Sequence, residues 1–118
     1  QDSPGAAKFS DMATAAGFKS GPFAMESYDA AALMLLAMEA AKSSDSQVYK
    51  SKIMDIANAP GEKIYPGELD KALHLIEDGK DIDYVGASAV ELVGGGESAG
   101  NYAQIEVQNQ KNVTVAYR

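Results

Sequence analysis

The chain has 118 residues, enough for one domain with a modest core. Its 46% hydrophobic and 23% charged residues are ordinary for a soluble globular protein. A net charge of -7, with 10 scattered Lys and Arg, argues against nucleic acid or an anionic membrane surface as partner, because both need clustered cations.

The absence of Cys removes disulfides, thiolate chemistry and Cys-ligated metals. Gln1 is first, and no basic region followed by an apolar one comes after it. The expectation is therefore a processed chain or a piece of a longer one.

In chain order, "PGAAKFSDMATAAG" over residues 4–17 predicts a helix. Ala6, Phe9, Ala13 and Ala16 share a face, Pro4 suits an early position, and Gly17 suits a stop. Gly21-Pro22 breaks the chain. A second helix is expected from Ser27, as N-cap, to Lys42. Asp29 would complement the positive end and Lys42 the negative end. Tyr28, Ala31, Ala32, Leu35, Leu36 and Met38 cover more than one face, so this helix is expected to be buried nearly all round. It does not span a membrane, since Ala30–Met38 gives nine uncharged residues where about 20 are needed.

A third helix is predicted over residues 46–57, capped by Asp45 or Ser46, with Tyr49, Ile53, Ile56 and Ala57 as its stripe. "APGEKIYPG" reads as a turn-rich linker. A fourth helix follows over residues 68–78, with Leu69, Ala72, Leu73 and Ile76 on one face and Gly79 as stop. Beyond Gly79 the period shifts to two. "DIDYVGAS", "AVELV", "NYAQIEVQ" and "NVTVAYR" read as strands, with one wet face where Gln104, Glu106 and Gln108 alternate with Ile105 and Val107. The expected class is α/β, with about four helices over residues 4–79 and a small β region over residues 81–118.

No catalytic set emerges. Gly94-x-Gly96-x-x-Ala99 matches the loose dinucleotide fingerprint but precedes a strand pattern instead of the helix that fingerprint needs, so it reads as a hairpin loop. Asp78, Asp81 and Asp83 lack the spacing of a calcium loop, and Asp81 and Asp83 read as outward strand residues. His74, the one histidine, reads as a surface residue with Asp70 one turn earlier as a partner. Glu26 and Asp29 do not make an acid/base pair, because Asp29 is explained by the helix end. Met25, Met34 and Met38 read as core filler. Asn112-Val113-Thr114 is a weak glycosylation pattern. Neither an enzyme nor a cofactor is expected.

Four stretches in this order carry a resemblance: "GPFAMESYDAAALMLLAMEAA", "PGEKIYPGELDKALHLIEDGKDIDYVGAS", "AVELVGGGESAGNY" and "AQIEVQNQKNV". Together they resemble the C-terminal third of type I periplasmic substrate-binding proteins, in the branched-chain amino-acid receptor group of ABC transporters. The resemblance covers most of residues 5–113. It implies a C-terminal fragment, residues 1–118, of a two-lobe α/β receptor that encloses a small amino acid or related carboxylate, delivers it to an ABC permease and works in the periplasm. The same fold also serves as the sensing part of regulators and signalling receptors.

One site residue carries over. Phe23 stands where these receptors place an aromatic near the ligand side chain, and an apolar wall there favours an aliphatic group by excluding water. The alternative is a staple-like residue packed on the helix start. "GGGESAG" departs from the family's Asp/Asn-Gly turn, and a longer or more mobile loop is expected there. Taken alone, the chain is expected to self-associate, because its second helix is apolar on too many faces, with exchange of strands or helices between copies as the route.

Overall fold

The computed structural model describes residues 3–17, 19, 21–58, 60–100 and 102–117. The order of elements is α1 (Pro4–Ala15), α2 (Ala24–Ala41), α3 (Ser46–Ala57), β1 (Glu62–Ile64), α4 (Leu69–Glu77), β2 (Ile82–Tyr84), β3 (Leu92–Val93), β4 (Glu97–Ser98), β5 (Ala103–Gln108) and β6 (Lys111–Tyr117). The fold is mixed α/β, with four helices and short strands among the described residues.

α1 forms where the apolar spacing put it. The Ser3 hydroxyl accepts from the Ala6 amide as N-cap, Pro4 opens the first turn, and Ala6, Phe9 and Ala13 are buried. Gly17 takes a φ of 80° just past the end, a left-handed value that suits glycine. Ala16 is exposed at the C-cap and drops out of the expected face.

α2 differs from expectation in two ways. It begins at Ala24, not Ser27, because the Ser27 amide already donates to the Phe23 carbonyl (2.9 Å) and so lies inside the helix. Phe23 becomes the N-cap, in a left-handed conformation with φ 62°. Burial is also one-sided. Asp29, Ala32, Leu33, Leu36 and Ala37 form an i, i+3, i+4 stripe, while Met34 and Leu35 lie exposed. The periodicity was hidden because the outer face is itself apolar. Met34 is thus no core filler, and Met25 and Met38 are half-buried. Lys42 ends the helix as its C-cap at φ 52°.

α3 is capped by Asp45, whose carboxylate accepts from the Gln47 amide at 2.9 Å. Its Ile56 and Ala57 are buried, and Tyr49 and Ile53 pack beside the core. α4 buries Ala72 and ends at Glu77, two residues before Gly79, whose φ is 73°.

The segment expected to be a linker contains β1. It pairs in parallel with β2, Glu62 opposite Ile82 and Ile64 opposite Tyr84, so β1–α4–β2 is a parallel crossover unit. The β region therefore starts among the helices and not after them. A three-residue strand with Pro66-Gly67 close behind has no local signal, and its partner lies some 20 residues on. The core gathers Leu33, Leu36, Ile56, Ile64, Ala72, Ile82 and Tyr84 between α2, α3, α4 and this strand pair. Removing such side chains from water supplies the main stabilisation of the domain.

"GGGESAG" is a hairpin turn, as expected: β3 and β4 pair antiparallel, with Gly94 and Gly96 at positive φ. The longer or more mobile loop expected there is instead a tight turn of residues 94–96 between paired Val93 and Glu97. β5 and β6 form a second antiparallel hairpin, closed by Asn109 and Gln110, both at positive φ in the manner of a type I′ turn. All of β5 is exposed, so the dry face expected for Ile105 and Val107 is absent within this chain; their exposures are 58% and 72%.

Candidate functional site

The carboxyl ends of parallel strands are where open α/β sheets bind ligands. Here the loops leaving β1 and β2 both converge on the front of α2, and two adjacent residues hold them. The Tyr28 hydroxyl accepts from the Gly67 amide (3.3 Å), in the loop after β1. The Asp29 side chain takes the loop after β2.

Asp29 is 2% exposed and is the one buried charged residue among those described. Its Oδ1 accepts from the Tyr84 hydroxyl and the Ala87 amide, both at 2.8 Å. Its Oδ2 accepts from the Ser88 amide at 2.7 Å and from the Ser88 hydroxyl. Four donors on two oxygens give the buried group the hydrogen bonds it would otherwise take from water. Asp29 is therefore not the helix-end charge that its position predicts. It lies in the second turn of α2 and fastens α2 to residues 84–88. Burial, together with the neighbouring Asp29 charge, raises the Tyr84 phenol above its ordinary 10.0, so it stays a donor.

Gly86 makes this clasp possible. Its φ is 66°, and a Cβ there would collide with the Asp29 carboxyl group and the Tyr84 ring. Gly5 is needed for a second close approach, since a Cβ on it would strike the Gly86 carbonyl and push α1 off the loop. α1 is fixed to α2 by the Phe9 and Tyr28 rings, 5.3 Å apart and tilted by 60°. Lys8 reaches over the Tyr65 ring at 4.7 Å. The loop after β1 is tied further by the Tyr65 amide donating to Glu68 at 2.9 Å.

Phe23 stands at the front end of α2, ahead of Tyr28 and Asp29, with 74% of its surface exposed. A staple-like residue would be packed down, so that alternative does not hold. Phe23 lines neither of two hollows in the surface. One, of about 520 Å³, lies between the far half of α2 and α4, over Leu35, Met38, Lys42, Leu69 and Leu73. The other, of about 270 Å³, lies beside Asn58, Lys63, Asp83, Val85 and Glu91.

The remaining candidates fall as follows. His74 is exposed, but its Nδ1 lies 2.7 Å from the Asp70 backbone carbonyl, not from the Asp70 carboxylate. Asp81 lies outside β2, and Asp83 is half-buried. No group of three or more possible metal ligands occurs among the described residues, and no helix is long and apolar enough to cross a membrane. Asp29, Tyr84 and Ser88 are the residues that sequence reasoning missed as a set. The signal was a Tyr-Asp pair at a helix start followed, 55 to 59 residues on, by a strand that ends Tyr-x-Gly-Ala-Ser.

The clasped carboxyl group is sealed by its donors and has no route to a substrate. Its work is positional: it fastens residues 84–88 to the second turn of α2, six residues along the chain from the exposed Phe23. Comparison with protein-family models, curated proteins and solved structures returned no match.

Proposed function

We propose that this chain is the C-terminal part of a type I periplasmic solute-binding protein, of the branched-chain amino-acid receptor group, that feeds an ABC importer. It binds a small amino acid or related carboxylate and does no chemistry on it. The observation that carries the proposal is Phe23, an exposed aromatic at the front of α2, on the same helix end that clasps both strand-end loops. A large apolar ring left in water at the front of α2 suits an aliphatic ligand side chain, which gains by leaving water. The four stretches of resemblance, in order and at family spacing, support the same assignment.

In this function the ligand binds a closed form of two lobes better than the open form and shifts the population toward it. The permease then distinguishes closed from open. The place of action is the periplasm. Isothermal titration of the full-length protein against a panel of L-amino acids and small carboxylates tests the proposal. Binding of an aliphatic amino acid is expected, with Phe23→Ala weakening it roughly tenfold. No binding across the panel would overturn it.

A further inference from the structure

The β5–β6 hairpin is the part of the chain that the receptor proposal does not use. Among the described residues its strands make no substantial contact with any other element. A two-stranded hairpin alone is marginal in water, and three or more strands with an apolar face are needed for stability. Yet this one exposes Ile105, Val107, Val115 and Tyr117.

We propose that the hairpin is completed by a second copy of this chain, β5 pairing antiparallel with β5 of the copy to give a four-stranded sheet. This inference does not rest on the receptor function. It rests on the edge, the charge and the register.

The two edges are not equivalent. The ladder is irregular between Gln104 and Ile105, where Ile105 pairs with Thr114 and Gln104 with Ala116, so Val115 is the extra residue and β6 carries the bulge. Bulges blunt an edge against further pairing. β5 is regular, and among the described residues no strand pairs with its outer side. Gln108 and Lys111 close a two-residue turn as a hydrogen-bonded pair. By alternation, Ala103, Ile105 and Val107 then point their backbone N–H and C=O groups away from β6, toward the open edge.

Charge permits self-pairing here. The chain carries -7 overall, but residues 102–117 hold one acid, Glu106, and one base, Lys111. Two copies therefore meet at a locally neutral strip.

Register follows from what must lie opposite what. A two-fold centred on Glu106 would set two like charges face to face, which destabilises. One centred between residues would set the apolar face against the polar one. A two-fold centred on Ile105 does neither. It places Ile105 against Ile105 of the copy, Ala103 against Val107, and Gln104 against Glu106. It also sets outward backbone groups against outward ones, residue 105 meeting 105 of the copy and residue 103 meeting 107. A six-residue edge buries less than the about 800 Å² per partner of a standard interface, so the dimer is a weak, concentration-dependent one.

The chain has no Cys, which makes cross-linking clean. Opposite Cα atoms in a hydrogen-bonded antiparallel pair are about 5.5 Å apart, within disulfide range. Ile105→Cys should oxidise to a covalent dimer in high yield, and Val113→Cys on β6 should not. Light scattering over a dilution series should give the unmodified chain a mass rising toward twice the monomer's, and Ile105→Lys should weaken that association more than tenfold. Because the hairpin does not pack on the core, circular dichroism should show each variant folded. A monomeric mass at about 1 mM, where even a weak interface is populated, would overturn the proposal. So would equal cross-linking through Val113→Cys.

Discussion

Asp29 joins α2 to residues 84–88 through four hydrogen bonds. Replacing it by Asn keeps the size but turns one acceptor into a donor facing donors. With the hydrogen bonds of Tyr84, Ala87 and Ser88 at stake, Asp29→Asn should cost about 3 kcal/mol. Thermal unfolding should show a fall of roughly 10 °C. Ser88→Ala removes one hydroxyl donor and leaves the Ser88 amide bond in place, so about 1 kcal/mol is expected. Equal losses for the two variants would mean that the clasp is not centred on Asp29. Little of this clasp was legible in the sequence. Tyr28-Asp29 marked a helix start, but its partners lie more than 50 residues away, and helix-end electrostatics gave a sufficient local explanation for the acid. Phe23 could be placed near the front of α2 from sequence, although not as a left-handed N-cap.

At the scale of elements, the legible parts were those with a period and punctuation. α1, α3 and α4 carry an apolar stripe, a cap or a stop glycine, and all three formed close to expectation. β1 was not legible, because three residues cannot show alternation and its pairing is non-local. The one-sided burial of α2 was not legible either, because Leu35 at 56% exposure is as apolar as its buried neighbours. The Asp45 cap predicts that Asp45→Ala destabilises by about 1 kcal/mol in urea unfolding. The β5–β6 turn predicts a gain. Gln110 sits at φ 63°, where glycine is favoured, so Gln110→Gly should raise amide hydrogen-exchange protection in β5 and β6. Unchanged protection would mean that the turn does not limit the hairpin.

At the scale of the whole molecule, α2, α3, α4 and the β1–β2 pair share one core that includes Tyr84, and among the described residues the β5–β6 hairpin makes no substantial contact with them. The buried phenol ties global stability to alkaline pH. Its proton is held above the ordinary 10.0 in the folded state but is lost near that value when unfolded, so the unfolded chain binds fewer protons there. Stability is therefore intact below about pH 10 and falls above it, by up to about 1.4 kcal/mol per pH unit from this group. Tyr84→Phe should be less stable at neutral pH, having lost a donor to Asp29, but should lack that part of the alkaline decline. Urea midpoints measured from pH 8 to 11 separate the two effects.

In the proposed receptor, Phe23 and the loops held by Tyr28 and Asp29 would meet the ligand. The most direct test is backbone chemical-shift mapping of the labelled full-length protein as leucine is titrated in. Saturable shifts are expected to cluster at Phe23, in the loop at residues 65–68 and in the loop at residues 85–88, with β5 and β6 silent. Shifts confined to the α2–α4 hollow around Leu35 and Leu73, or none at all, would contradict it.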